Sequence, residues 1–252
     1  VDAFTDRLFG GNPAAVCPLA RWLDDATLQA IALENNLSET AFLVRQGDDY
    51  ELRWFTPTIE VPLCGHATLA SGFVVLNILE RQRRKIVFHS KSGPLTVERD
   101  GDRLAMDFPA LPPTPCDPPP GLTDALGTPP QKTLQASLGY LAVLDGADRV
   151  RTLQPDMWAM AKIGRSVIVS AAATEVDFVS RFFAPAAGIP EDPVTGSAHC
   201  VLTPYWAERL GKTVLKARQV SRRGGDVWCE LRGNRVRLLG QAVLYLNGTF
   251  QI

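Results

Sequence analysis

The chain has 252 residues and a mass of 27.5 kDa, and at about 150 residues per domain this allows one large or two small domains. Lys and Arg total 26 against 27 Asp and Glu, and the resulting charge of −1 excludes the broad basic face of a nucleic-acid binder. No apolar run approaches the roughly 18 residues of a membrane-spanning helix, and no basic-then-apolar leader opens the chain.

The chain begins inside a strand-like run at Val1. Residues 24–35 are amphipathic: Leu28, Ile31 and Ala32 recur at helical spacing, and Asp24 and Asp25 mark the start. Strand-like runs follow at Ala41–Arg45 and Tyr50–Phe55. Residues 66–80 are apolar on nearly every face, which predicts a helix buried all round. Arg81, Arg83, Arg84 and Lys85 then suit the negative end of its dipole. Further strands are predicted at Ile86–His89, Leu95–Val97 and Arg103–Phe108. Nine of the 19 prolines fall within residues 109–131, which predicts an extended, stiff linker. Beyond it come strands at Thr133–Leu144 and Ser166–Ser170, and a helix over 197–210 with Pro204 as a kink and Gly211 as cap. Strands at Asp226–Leu231 and Arg235–Leu246 complete the chain.

The two halves look alike. Arg53-Trp54-Phe55-Thr56-Pro57 precedes Gly65, and Arg181-Phe182-Phe183-Ala184-Pro185 precedes Gly196, each glycine opening an apolar helix. This order suggests an internal duplication. An apolar helix beside several strands is buried only if the sheet curls around it. The expected fold is therefore α+β: two similar domains, 1–108 and 132–252, joined by the linker 109–131. Each is a curled, mostly antiparallel sheet around a central helix, the pair is related by a pseudo-two-fold, and the last strand is free to return to the first domain.

The N–H groups at a helix start bind anions such as carboxylates, and Gly65 and Gly196 let the backbone approach a ligand closely. With the halves paired about a pseudo-two-fold, both helix starts would face one cleft. Taken singly, each glycine fits a simple turn better than a ligand site. The five cysteines, at 17, 64, 116, 200 and 229, lack a C-x-x-C spacing and read as a reduced set, which predicts a cytoplasmic protein.

Five segments carry a more specific signal. Gly11-Asn12-Pro13-Ala14-Ala15-Val16, Ser38-Glu39-Thr40-Ala41-Phe42, Cys64-Gly65-His66-Ala67-Thr68, Asp192-Pro193-Val194-Thr195-Gly196-Ser197-Ala198-His199 and Ser221-Arg222-Arg223-Gly224-Gly225 occur in order along nearly the whole chain. This series resembles that of the phenazine-biosynthesis PhzF-like proteins, which share the diaminopimelate epimerase fold. The resemblance implies a cofactor-independent isomerase, usually a homodimer, with its active site between two similar domains. It implies that Glu39 moves a proton on a cyclic unsaturated carboxylate, in a site lined by His66, Asp192 and Ser197.

From the residues themselves, Glu39 stands between a helix and an apolar strand, where an apolar wall would raise its pKa toward neutrality as acid/base work requires. A glutamate at a loop end is more often simply solvated. His66 follows Gly65 and is suited to hold a carboxylate or pass a proton, or to be a satisfied helix-start histidine. Ser197 suits capping and ligand donation alike. Asp192 fits an orienting role, or one holding His66, or a plain turn before Pro193. Asn12 is a substrate-binding candidate by its motif, with turn formation as the alternative.

Cys64 opens a second reading, a racemase or epimerase, because a thiol at a helix start suits α-proton removal. That chemistry uses two thiols, and residues 192–196 contain no cysteine, while Cys200 lies a turn inside its helix as a core residue. Cys64, His66, His199 and Cys200 lack zinc-site spacing, so no metal is expected. Gly211-Lys212-Thr213 is no P-loop, since Trp206 stands where the motif needs glycine, and no G-x-G-x-x-G is present to hold a dinucleotide. The third reading is a binding protein of this fold without turnover. The expected partner is a small carboxylate, with no nucleic acid and no membrane.

Overall fold

The computed structural model describes residues 1–252. In chain order the strands of the first half are β1 (Asp2–Ala3), β2 (Asn12–Leu19), β3 (Glu39–Gln46), β4 (Asp49–Phe55), β5 (Glu60–Val61), β6 (Lys85–Ser90), β7 (Gly93–Asp100) and β8 (Arg103–Pro109). Then come β9 (Thr114–Pro115), β10 (Lys132–Gln135), β11 (Gly139–Val143), β12 (Ser166–Ala172), β13 (Phe178–Ala184) and β14 (Ile189–Asp192). The last four are β15 (Val214–Gln219), β16 (Gly225–Arg232), β17 (Arg235–Gly240) and β18 (Ala242–Val243). The α-helices are α1 (Asp25–Asn35), α2 (Gly65–Val74), α3 (Leu122–Leu126), α4 (Ala147–Thr152), α5 (Met157–Lys162) and α6 (Gly196–Leu210). None is long and apolar enough to cross a membrane.

The chain divides into two compact units, 1–107 with 239–252, and 108–238. In the first, β2 and β3 run parallel, β3 pairs antiparallel with β4, and β4 pairs antiparallel with β5 and parallel with β6. β6, β7 and β8 continue as an antiparallel meander. The crossover from β2 to β3 carries α1, whose Leu28, Ile31 and Ala32 pack with Cys17, Phe42 and Phe55. Asp24 caps α1 by accepting from the Thr27 amide at 3.0 Å.

The second unit repeats the pairing. β11 and β12 run parallel, β12 pairs antiparallel with β13, and β13 pairs antiparallel with β14 and parallel with β15, which pairs antiparallel with β16. Even an ion pair recurs. Arg53 Nε donates to Glu60 at 2.8 Å between β4 and β5, and Arg181 Nε donates to Glu191 at 2.7 Å between β13 and β14. Each guanidinium also covers the phenylalanine two residues on, Phe55 and Phe183. The sheets are mixed rather than purely antiparallel, because each repeat contains two parallel pairs.

Both buried helices lie where the apolar runs predicted them. Eight of the ten α2 residues are buried, and the helix packs on β1, β2, β3, β7 and β18. The approach to β7 is close: a Cβ on Gly72 would lie 2.5 Å from a Val97 methyl carbon. A π-helical turn, Val75–Leu79, extends the helix over the rest of the apolar run. In α6, Trp206 stacks on Phe178 of β13 and donates to Ser170 of β12 at 2.9 Å, and Gly211 ends the helix in the left-handed conformation.

Three sequence expectations change. Residues 109–131 are not simply extended: they contain β9 and α3, whose Leu122, Ala125 and Leu126 are buried in the core of the second unit. The run 133–144 is two strands, β10 and β11, paired antiparallel. The run 235–246 breaks after Gly240, and β18 pairs with β1 at the opposite end of the chain.

Candidate active site

In the first unit, four of the residues singled out from the sequence meet. Glu39 is the first residue of β3, Asn12 the first of β2, Cys64 the N-cap of α2, and His66 lies in that helix's first turn. The parallel register sets Glu39 beside Ala14, two residues past Asn12. Asn12 is delivered by a tight turn that demands glycine before it: Gly11 has φ +61°, and a Cβ there would lie 2.1 Å from the Ala3 carbonyl oxygen. Gly65, the first residue of α2, is half-buried.

His66 is the hub. Its Nε2 lies 3.1 Å from Glu39 Oε2, and its Nδ1 lies 3.1 Å from Asn12 Nδ2 and 3.4 Å from Cys64 Sγ. Both atoms of the Glu39–His66 contact are shielded from solvent, and the imidazole stands as the partner of the carboxylate. Side-chain exposure is 6% for His66 and 12% for Glu39, so the charges act through little water.

The electrostatics correct one expectation. Burial pushes the Glu39 carboxyl up, but the charge and hydrogen bonding of His66 and the Cys64 thiol outweigh it and hold the pKa below the usual carboxylate value. Glu39 is therefore an ionised base at rest, not an acid poised near neutrality. Burial by itself would depress His66, yet Cys64 and Glu39 keep it well above 6.5. Burial raises the Cys64 thiol. The Glu39 carboxylate is one of the charges that favour the imidazolium. Both imidazolium nitrogens donate: Nε2 faces Glu39, and Nδ1 faces the sulfur and the Asn12 amide, whose oxygen reaches the same point by a flip.

In the second unit Asp192 ends β14, and Gly196 and Ser197 open α6 four residues later. The cap residue is Thr195, so Ser197 does not cap the helix as expected; it is half-buried in the first turn. Thr195 Oγ1 donates to Asp192 Oδ2 at 2.5 Å. Fully buried Gln219 locks this turn, accepting from the Thr195 amide at 2.9 Å and donating to the Asp192 carbonyl at 2.7 Å. Asp192 thus has local partners in this turn. Cys200 is buried one turn inside α6, its Sγ 3.6 Å from the Gly196 carbonyl. His199 donates through Nδ1 to the Thr195 carbonyl, and burial lowers its pKa to about 4.

Sequence reasoning missed Thr195 and Gln219. Thr195 could have been found from the repeat, since it precedes the helix glycine as Cys64 does. Gln219, 24 residues beyond Thr195, left no signal.

Residues 1–248 match the family described as phenazine biosynthesis-like protein. This chain belongs to that family. An uncharacterized isomerase of Pseudomonas aeruginosa is 53% identical over 253 residues, covering 100% of this chain and 97% of that protein. The crystal structure of a PhzF-family phenazine biosynthesis protein from Enterococcus faecalis superposes with a TM-score of 0.94 at 46% identity, covering 97% of this chain and 95% of that one. A probable proline racemase from Agrobacterium radiobacter, at 12% identity and TM-score 0.58 over 89% of this chain and 82% of that one, shares the fold alone.

Proposed function

We propose that this family member is an isomerase that moves a proton on a small, cyclic unsaturated carboxylate, with Glu39 as proton carrier and no cofactor. The observation that carries the reading is the buried Glu39–His66 pair: a carboxylate held ionised and shielded from solvent beside an imidazolium. Such a base takes a proton from an activated carbon and returns it at another position of the same molecule. His66 stabilises the starting carboxylate, and Asn12 fixes the imidazole. The chemistry balances internally: one C–H bond breaks, the electron pair shifts along the unsaturated system, and one C–H bond forms. Asp192, Gly196 and Ser197 are assigned binding roles, the amides at the start of α6 offering donors to an anion. Cys64 and Gly65 are assigned to substrate binding as well. The repeated strand pairing supports an origin by duplication and a pseudo-two-fold relation. A homodimer is the proposed assembly, and light scattering measures it.

The test is proton NMR in D2O with a panel of cyclic dienoic acids. Deuterium enters the product with the native protein, and Glu39→Gln loses about 100-fold or more of that rate while still binding the acid. A Glu39→Gln protein exchanging at the native rate overturns the reading. One observation favours a second, Cys64-based epimerisation of amino acids: the thiol lies 3.4 Å from His66 Nδ1. Exchange at the α-carbon of proline or diamino acids, abolished in Cys64→Ala, would establish it instead.

A further inference from the structure

We propose that Glu39, Cys64 and His66 form a zinc-binding site, through which the divalent ion silences the proton carrier. A carboxylate oxygen, a thiol sulfur and an imidazole nitrogen lie within 4.8 Å of one another. Zinc holds sulfur at about 2.3 Å and nitrogen at about 2.0 Å, so tetrahedral donors sit roughly 3.5 Å apart. Cys64 Sγ stands 3.4 Å from His66 Nδ1 and Glu39 Oε2 stands 3.1 Å from His66 Nε2, so each flanking donor already lies at such a distance from the imidazole. The donor set chooses the metal. Magnesium and calcium take oxygen ligands, whereas a thiolate, an imidazole and a carboxylate together suit zinc.

A second observation points to a ligand. Glu39 Oε2 and His66 Nε2 are shielded from solvent and face each other at 3.1 Å, and His66 is 5% exposed. A zinc ion that displaces the imidazole proton would take over as the cation beside this carboxylate. The spacing hid this set from sequence inspection: Cys64-x-His66 is no zinc motif, and Glu39 joins from a separate strand. With three protein donors the fourth position stays open, as in zinc sites that accept a further ligand. A Glu39 oxygen bonded to zinc has lost the lone pair that takes up the proton. This inhibitory consequence rests on the proton-transfer reading; the binding itself does not.

Equilibrium dialysis of the full chain against Zn2+ tests the binding, and Co2+ in its place gives a visible spectrum with thiolate charge transfer. One ion per chain is expected. Cys64→Ser, His66→Asn and Glu39→Gln each weaken binding by roughly tenfold or more, while Cys116→Ser, which alters a cysteine outside the cluster, leaves it unchanged. Circular dichroism checks that each variant is folded, and the native protein's stoichiometry and cobalt spectrum stand without them. Sub-stoichiometric zinc at saturation, no thiolate band, or affinity unchanged in Cys64→Ser overturns the proposal. Deuterium incorporation by chelator-treated protein separates the two readings: exchange without zinc binding sinks the metal site alone, and zinc binding without exchange sinks the proton carrier alone.

Discussion

At the scale of single residues, the Glu39–His66 pair fixes a pH window. The His66 pKa is raised in the folded state, so its contribution to stability is full below about 6.5 and is lost as pH rises through the folded value. Glu39 is lowered, so its contribution is present above its unfolded value and is lost as pH falls through the folded one. The pair is charged between those limits. In Glu39→Gln, burial acts on His66 without an opposing carboxylate, and a histidine NMR titration should find the imidazole deprotonating at lower pH than in the native protein. His199 has the opposite sign. It is buried neutral, with a pKa of about 4 against 6.5 unfolded, and stability attributable to it falls as pH drops from about 6.5 to 4, by roughly 3 kcal/mol. Urea unfolding of His199→Gln across that range should show a flatter acid limb than the native protein. Residue identity was legible in the sequence where a motif carried it, as at Asn12, Glu39, Cys64 and His66. The charge state of Glu39 was not, because it depends on an imidazole 27 positions away brought to 3.1 Å by a strand and a helix.

At the scale of elements, the duplicated Arg–Glu bridges serve unequal loads. Arg53 is 19% exposed at its side chain and shares Glu60 with Lys91, whereas Arg181 is 10% exposed and also donates to the Leu153 carbonyl at 2.6 Å, beyond the end of α4. Replacing Arg181 by Ala strands the buried Leu153 carbonyl and leaves the half-buried Glu191 unpaired, and should cost about 3 kcal/mol, against about 1 kcal/mol for Arg53→Ala. Denaturant midpoints of the two variants compare them directly. Gly72→Ala inserts a methyl group against Val97 and should cost about 1–3 kcal/mol by overpacking α2 on β7. The apolar helices were legible because they are apolar on every face. β2 was not: Asn-Pro-Ala-Ala-Val-Cys-Pro-Leu holds two prolines and no alternation, and it becomes a strand only beside β3. β13 is buried at all seven positions, which erases the period-two pattern that would have marked it.

At the scale of the whole molecule, the proline surplus was read as a boundary, yet the same segment contributes Leu122, Ala125 and Leu126 to a core. Proline content reports what a backbone cannot do; it is silent about what the residues between the prolines bury. The repeat was legible because the same side-chain order stands in both halves, and the strand pairings repeat with it. The closing strand was harder to see, since β18 is two residues long and its partner β1 is 240 positions earlier. Beside it, a Cβ on Gly240 would meet the Phe4 ring at 2.4 Å, so the end of the chain packs directly on its beginning. Removing residues 239–252 should leave the β1 and β2 amides exchanging rapidly in a hydrogen-exchange experiment, while those of β12 and β13 stay protected.

That closure also sets an order of birth. Residues 108–238 form a contiguous unit whose sequence has all been translated before residue 239 is added. The unit begun first lacks β18 until residues 242–243 have been added. The later-made unit is therefore free to fold while the earlier one waits, reversing the usual N-terminal-first sequence of synthesis. Throughout that interval α2, apolar on nearly every side, belongs to an unfinished unit, and the nascent chain is a natural client for chaperones that hold exposed apolar segments.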